Sequence, residues 1–451
     1  MKYFKHSGLR SRRSGMAVAS ACLLAILAGS QSALSKEDSF LETRASQIVP
    51  KTSIDLNWAL QQTLQKNATL KTFPYHLRMS DAEILQARQR PLPTLGLSIE
   101  NVLGGGDYSD MEQAEFTLTL GQTLELGSKR ESRIAVATAA MQRQQSEYEL
   151  TRLDVLAETS RRYYQLLRIQ LLQRWIEKRA QSEQQALGII QQRARAGAAK
   201  QADVSKMQLR LSRSKAQAAQ LKGQLILAKA GLTAMWLENP SFTTANGNLI
   251  SSPVIPDTTR IRESVVELVN KSPLFIRQQA LQRLSDAEVQ LARANGRVNL
   301  DVGVGIRHLE KSGDQALVFD LSMPIPISNP NRGRIAAAQA NKELSAEQTE
   351  MVRSQLQLSL LAIQQTLSNH HLYAGLITNE LLPQARQLLA DVEKGYSKGR
   401  YTVLQWVDAQ AELFALEREL IEIHTLMYQQ LLELERITGQ TFSPSQQEND
   451  S

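Results

Sequence analysis

The sequence predicts a mainly α-helical protein with a small β part, built from two copies of one unit. The tetrad Ser-Asp-Ala-Glu at 80–83 returns at 285–288, and the residues around it repeat at the same offset of 205. Aromatic residues make up only 5%, while Gln, Ala, Leu, Arg and Glu are abundant, a composition typical of long helices. A repeat of about 200 residues is far longer than a solenoid unit. Each copy is predicted to contain, in order, a helix, a strand hairpin, a long helix, a turn and a second helix.

Four short segments alternate between apolar and polar residues. They lie at 94–100, 115–121, 299–307 and 316–323, and a polar, glycine-bearing loop joins each pair. This pattern predicts two β-hairpins, at about 94–121 and about 299–325, each with one apolar and one polar face. The apolar faces carry Leu97, Phe116, Val302 and Phe319, and the polar faces carry Glu100, Thr117, Thr119, Asp301, Arg307 and Asp320.

Two environments suit such hairpins. Their apolar faces could lie on a soluble core, or they could face lipid while the polar faces line the lumen of an outer-membrane barrel. The flanking sequence supplies no further strands, and the smallest barrels have eight, so a barrel would have to be shared between chains. Beyond the first 35 residues no stretch approaches 18 uncharged apolar residues, so any membrane insertion would use the strands.

A very long helix is predicted from Lys129 to about Arg195. This stretch contains no proline and only one glycine, Gly188, and its apolar residues recur at spacings of three, four and seven. That spacing favours coiled-coil-like packing. The segment from Ser128 to Glu131 has the form of a capping box at the start of the helix.

The second copy repeats this plan. Asn329, followed by Pro330, is the expected cap of its long helix. Turns around Gly197 and Gly399 end the two long helices, and antiparallel helices are expected to return from each turn.

The N-terminus predicts a secretory signal peptide at 1–35. Five basic residues precede an apolar run at 16–28, and small residues at 33 and 35 suit cleavage. The only cysteine, Cys22, lies inside the apolar run rather than at its end, so lipidation is not expected. The chain has 52 basic and 45 acidic residues, and loss of those five leaves 47 against 45. This near-neutral balance argues against nucleic-acid binding.

The predicted organisation has five parts. They are the signal peptide at 1–35, the first repeat at 36–236, a linker or equatorial segment at 237–259, the second repeat at 260–440 and a polar tail at 441–451.

Three segments resemble the TolC-like outer-membrane factor family of bacterial efflux and secretion channels. They are FTLTLGQTLELGSKRESRI at 116–134, PIPISNPNRGRIAAA at 324–338 and GYSKGRYTVLQWVDAQ at 395–410, and the resemblance covers about 50–440. The first two are most similar to the cation-efflux (Czc/Cus-type) branch. The resemblance implies a homotrimer whose chains each give four strands to a 12-stranded barrel in outer-membrane lipid. It also implies a periplasmic α-barrel below, a periplasmic adaptor protein, and an inner-membrane pump of the RND type.

The resemblance also places a periplasmic gate at the helical turns. Tyr396 and Asp408 match a tyrosine and an acid of the family pattern, and Asp203 matches an acid in the first copy. This chain departs from the pattern at Gln405, which stands where a first acid is expected, and at Tyr401, which stands where an arginine is expected. The loss of that acid puts strong cation selectivity in doubt.

Specific contacts at this gate can be anticipated. Tyr396 is able to donate a hydrogen bond across a helix interface, and Asp408 is able to pair with a cation such as Arg400. Either contact would hold the second helical hairpin inward. The alternative is that Asp203 and Asp408 are ordinary solvated helix residues.

No catalytic or cofactor motif is expected in this chain. The sequence has no P-loop, no GxSxG and no HExxH, and Gly104 to Gly106 lie in a hairpin loop rather than between a strand and a helix. His308, His370, His371 and His424 are expected to be surface polar residues rather than metal ligands. We therefore predict no enzyme activity, no cofactor and no metal site.

The predicted function is a passive outer-membrane exit channel of a tripartite efflux system, extending into the periplasm, for small solutes that include heavy-metal cations or drugs. The alternatives are a type I protein-secretion duct and a soluble periplasmic coiled-coil adaptor.

Overall fold

The computed structural model describes residues 52–256 and 264–441. The predicted signal peptide, the end of the predicted linker and all but the first residue of the polar tail lie outside these ranges. The described part is mainly helical with few strands, as predicted. Within it, no helix combines the length and the apolar character needed to cross a membrane.

From residue 52 onward, the first copy contains four α-helices. They are α1 (Leu56–Lys66), α2 (Ala68–Ala87), α3 (Lys129–Arg195) and α4 (Gln201–Thr233). Helix α3 has the predicted bounds and, at 67 residues and 1.5 Å per residue, is about 100 Å long. It packs antiparallel to α4 through Ile190, Met207 and Leu211, which are almost fully buried.

In the described part of the second copy there are five α-helices and one wide turn. The helices are α5 (Val265–Lys271), α6 (Pro273–Asn295), α7 (Arg332–Leu376), α8 (Leu382–Ser397) and α9 (Val403–Thr438). Between α7 and α8 the chain forms a π-helical turn over Ile377–Leu381, in which the N–H of Leu382 donates to the carbonyl of Ile377. An i→i+5 bond of this kind inserts one extra residue into a helix, and the sequence pattern did not reveal it.

The two predicted caps are wrong in detail. Ser128 has φ 58°, in the left-handed region, and its side chain makes no capping hydrogen bond. A capping box needs an extended backbone at the cap, so the left-handed residue cannot supply one. In the second copy the helix begins at Arg332, because Asn329 instead accepts a hydrogen bond from the N–H of Asn331 in a local turn.

Within residues 52–256 and 264–441, six strands form two sheets. The small sheet pairs β1 (Ser53–Ile54) with β4 (Thr244–Ala245) in parallel. The larger sheet is antiparallel in the order β2, β3, β5, β6, which are Thr94–Glu100, Glu115–Glu125, Asn299–Leu309 and Gln315–Ser322. The two predicted hairpins therefore join edge to edge, and β2 and β6 are left as the outer strands.

The apolar core lies between helices and beside the small sheet. One cluster unites α5, α6, α7 and α9 around Phe275, Leu360 and Met427. A second cluster packs α1, α3 and the segment after α4 around Tyr163 and Trp236, and the Tyr163 hydroxyl donates to the backbone carbonyl of Ile54.

Candidate functional site

The two helical turns have the same backbone geometry. Gly197 and Gly399 have φ +72° and +75°, in the left-handed region that strains residues with a side chain and that glycine adopts readily. In the first turn the N–H of Ala198 donates to the carbonyl of Arg193 at 2.8 Å, and in the second the N–H of Arg400 donates to the carbonyl of Gly395 at 2.9 Å. This is the Schellman pattern, which satisfies the last carbonyls of a helix and lets the chain reverse at once.

An apolar cluster, here called the tip cluster, joins the two turns. Its buried members are Ala186, Leu187, Ile190, Met207, Leu211, Val403 and Val407. These residues come from α3, α4 and α9, so the first helical hairpin (α3–α4) and the second (α8–α9) share one core near their ends.

Asp408 pairs with a cation, but the cation is Arg210 rather than the expected Arg400. Nη2 of Arg210 on α4 donates to Oδ1 of Asp408 on α9 at 2.7 Å. The side chain of Arg400 has no ion pair among the described residues. This contact links the two hairpins directly. The sequence did not indicate Arg210 as a partner, because it lies 198 positions from Asp408 in the chain.

Tyr396 contacts its neighbours through its ring rather than its hydroxyl. The ring stacks on that of Trp406 with centroids 5.8 Å apart, and the guanidinium of Arg193 lies 4.3 Å from the ring centroid. A cation over an aromatic face is attracted by the ring quadrupole. The expected hydrogen bond from the Tyr396 hydroxyl has no counterpart among the described residues, and Arg193 of α3 instead reaches across to the second hairpin.

Gln405, Tyr401 and Asp203 have local structural contacts. Gln405 forms a capping box with Thr402, in which the N–H of Gln405 donates to the Thr402 hydroxyl and the N–H of Thr402 donates to Oε1 of Gln405 at 2.8 Å. Tyr401 lies over Gly395, where an added Cβ would come within 2.2 Å of the ring. Asp203 lies in the first turn of α4, where the helix dipole favours a negative charge.

Polar contacts between α3 and α9 continue the contact between the hairpins. Arg168 donates to both carboxylate oxygens of Glu422, at 2.5 and 2.7 Å. Arg436 donates to Asp154 at 2.8 Å, and Ser182 donates to Gln410 at 2.6 Å. The two hairpins are therefore tied by polar contacts along much of their length, with the Arg210–Asp408 pair nearest the turns.

The larger sheet carries the second group of predicted residues. Arg307 donates to Glu115 at 2.8 Å and to the hydroxyl of Thr117 at 3.0 Å, and lies 3.2 Å from Glu100. The register puts Thr119 opposite Gly305 and Asp320 opposite Gly303, on the same face as Arg307. Asp301 accepts from the hydroxyl of Thr123 at 2.5 Å.

The opposite face of this sheet is apolar and open. Its large side chains are exposed in the single chain, with Leu97 at 67%, Leu317 at 68% and Phe319 at 78%. An apolar surface of this size marks a contact with lipid or with another protein. Two apolar residues of β6 lie on the polar face, because the register pairs Val318 with Gly305 and Ala316 with Arg307.

His424 differs from the prediction. It is 3% exposed, and its Nδ1 lies 3.1 Å from the carbonyl oxygen of Leu249. Burial lowers the pKa of His424, and hydrogen bonds with the carbonyls of Leu249 and Ile250 partly oppose that shift. Within residues 52–256 and 264–441, no three His, Cys, Asp or Glu side chains come together in a way that could hold a metal ion.

The family model for outer membrane efflux proteins matches this chain over residues 59–236 and 265–440. The chain belongs to the outer membrane efflux protein family. The two matched stretches lie within the two repeats predicted from the sequence, at 36–236 and 260–440. The protein is an outer-membrane efflux channel, and the predicted resemblance and localisation are confirmed.

Two relatives of this outer membrane efflux protein are named for metal resistance. The cobalt-zinc-cadmium resistance protein CzcC of Cupriavidus metallidurans is 25% identical over 387 residues, covering 86% of this chain and 90% of the relative. The nickel-cobalt-cadmium resistance protein NccC of Alcaligenes xylosoxydans xylosoxydans is 25% identical over 292 residues, covering 62% of this chain and 64% of the relative. The similarity to the cation-efflux branch predicted from the sequence is therefore confirmed.

Solved structures share the fold of this efflux protein. The outer membrane protein VceC of Vibrio cholerae superposes with a TM-score of 0.69 at 18% identity, covering 86% of this chain and 97% of VceC. At that identity the similarity concerns the fold alone.

Proposed function

We propose that this efflux channel is a homotrimeric exit duct for divalent metal cations, working with a periplasmic adaptor and an inner-membrane pump of the RND type. The observation that carries the choice of cargo is the similarity to CzcC along nine-tenths of that protein's length. The polar face of the larger sheet supports it, because Glu100, Glu115, Asp301 and Asp320 outnumber the one cation there, Arg307. A pore lined by carboxylates favours cations.

In this proposal the polar face of the sheet lines the lumen and the apolar face contacts lipid. Three copies of the sheet supply twelve strands, and the outer strands β2 and β6 of neighbouring chains pair with each other. The long hairpins continue into the periplasm, and the two turns form the entrance to which the adaptor docks. The Arg210–Asp408 pair and the Arg193–Tyr396 contact hold that entrance closed.

The cargo can be tested in cells. The gene would be deleted from its host, and tolerance to zinc, cobalt, nickel and cadmium would be compared with tolerance to hydrophobic antibiotics. We expect the tolerated metal concentration to fall severalfold while antibiotic tolerance stays the same, and complementation to restore the wild-type value. Unchanged metal tolerance together with a loss of antibiotic tolerance or of a secreted protein would overturn the metal proposal and favour drug or protein export.

A further inference from the structure

A cavity of about 360 Å³ lies where α3, α8, α9 and the segment after β4 meet. Most of its wall is hydrocarbon, from Leu171, Trp175, Ile250, Leu382, Leu420 and Ile421. We infer that this cavity binds a single-chain amphipathic anion, with a fatty-acid-type carboxylate as the head group. None of the lining residues belongs to the two turns or to the larger sheet, so binding here would be independent of the exported cargo.

The charges around the cavity do not balance. Three nearby basic side chains are each paired with an acid: Lys178 with Glu417 at 3.7 Å, Arg179 with Glu183 at 3.0 Å, and Arg418 with Glu422 at 4.0 Å. Two further arginines of the cavity wall, Arg174 on α3 and Arg386 on α8, have no ion pair or hydrogen bond among the described residues. Both are exposed, so the cavity presents two uncompensated guanidinium groups beside an apolar wall.

This combination selects the chemistry of the ligand. A guanidinium binds a carboxylate through two parallel N–H···O bonds, which makes arginine better suited than lysine to this head group. The apolar wall favours an alkyl chain over a small hydrated anion such as phosphate. The volume is near the lower end of the 300–1,000 Å³ range of small-molecule sites, so it suits one short chain rather than a two-chain lipid.

His424 also lines the cavity. Its ring is buried and is held by the backbone carbonyls of Leu249 and Ile250. Burial lowers the pKa of this imidazole, so it contributes no positive charge at neutral pH. The attraction for an anion therefore comes from Arg174 and Arg386.

Occupancy would connect the two helical hairpins. Arg174 belongs to the first hairpin and Arg386 to the second, and two unpaired cations lining one cavity repel each other when it is empty. An anion that binds both would replace this repulsion by attraction. The ligand would therefore stabilise the contact between the hairpins.

Bromine quenching of tryptophan fluorescence tests the inference, because Trp175 lines the cavity. The full-length protein, purified in dodecyl maltoside, would be titrated with 12-bromododecanoate. The other tryptophans are Trp58, Trp236 and Trp406, and none of the four lies in the larger sheet. We expect saturable quenching that disappears in Trp175→Phe and needs at least tenfold more ligand in Arg174→Gln combined with Arg386→Gln.

Two controls define specificity. Arg213→Gln removes an exposed arginine of α4 that lies outside the cavity and has no ion pair among the described residues, and it should bind like wild type. A bromododecyl trimethylammonium cation of the same chain length should not quench saturably.

Three results would overturn the inference. They are the absence of saturable quenching in the wild type, equal quenching by the anion and the cation, and unchanged affinity in the double arginine variant. Because both arginine side chains are exposed and make no described contacts, that variant should assemble normally and keeps the test decisive even if Trp175→Phe disturbs packing.

Discussion

Individual residues at the turns make contacts that the sequence could not reveal. The cap formed by Thr402 and Gln405 is local, spanning three positions, and a capping-box pattern was visible in principle. The partner of Asp408 is not local, because antiparallel helices bring Arg210 close only after both hairpins have packed together. His424 looked like a surface residue for the same reason, since its burial depends on the backbone at Leu249.

Removal of the Arg210–Asp408 pair should loosen the closed state without unfolding the protein. The Asp408 side chain is 57% exposed and that of Arg210 is 26% exposed, so the pair contributes only about 0.2–1 kcal/mol per chain. We expect Asp408→Asn and Arg210→Gln each to raise the open fraction in planar bilayers by up to about fivefold per chain, and the double variant to do no more than either single one. Arg400→Gln, at the nearby turn and without an ion pair among the described residues, is the control. Additive effects of the two single changes would show that the residues act independently.

His424 should make the folded protein sensitive to mild acid. Its pKa is lowered by burial in the folded state, so between the unfolded value of about 6.5 and the lower folded value the unfolded chain binds more protons. Stability should be unaffected by this group above pH 7 and should fall as the pH drops below about 6.5. The thermal unfolding midpoint, followed by circular dichroism, should decrease between pH 7 and pH 5 by more in the wild type than in His424→Gln. An identical decrease in both proteins would argue against this role for the histidine.

At the scale of elements, the sequence predicts most of the fold because its signals are periodic. The bounds of α3 and the alternation of the four strands follow from spacings of three to four and of two residues, and the structure has both. The order β2–β3–β5–β6 could not be read from the sequence, since the pairing of β3 with β5 joins residues that lie far apart in the chain, from Glu115 with Leu309 to Glu125 with Asn299. The short parallel pair β1–β4 was missed because two residues carry no period.

The faces of the larger sheet should respond differently to charge. Leu97 and Ser98 are neighbours on β2 and lie on opposite faces, with Leu97 opposite Leu118 and Ser98 opposite Thr117. Arginine on a lipid-facing strand position costs about 2–4 kcal/mol near the middle of the bilayer. We therefore expect Leu97→Arg to abolish the assembled form in the outer-membrane fraction, while Ser98→Arg assembles. Equal tolerance of the two substitutions would mean that the faces are reversed or that the sheet does not contact lipid.

At the scale of the whole molecule, one chain leaves a sheet with two unpaired edges. Open edges expose backbone N–H and C=O groups that cannot be satisfied in lipid. The family membership and the apolar outer face together make closure by neighbouring chains the natural solution. The number three came from the resemblance, because strand count alone also allows two or four chains.

Cysteine cross-linking should detect the shared barrel. Each double variant would carry one cysteine on β2, at Gly96 or Ser98, and one on β6, at Val318 or Asp320. All four positions lie on the polar face. Oxidation should give dimers and closed trimers on non-reducing gels for at least one pair, since a disulfide needs Cβ atoms about 3.5–4.5 Å apart. As a control, one cysteine on β3 and one on β5 should form a disulfide only within a chain, because these strands are already paired there. A protein that stays monomeric with every β2–β6 pair and is soluble without detergent would exclude the trimeric barrel.

The π-helical turn at Ile377–Leu381 has a consequence for the rotational phase of the long helix. One extra residue advances the side chains beyond it by about 100° relative to an unbroken α-helix. Leu360 and Leu367 above the turn pack against α9 in one apolar cluster, and Leu382 just beyond it joins the same cluster despite the shift. Without the inserted residue, α8 would present a different face to α9. The ring of Tyr396 would then point away from that of Trp406. The π-helical turn therefore rotates the side chains of α8 by a fixed angle relative to those of α7. As a result, α7 can contact one set of neighbours and the end of α8 can contact another.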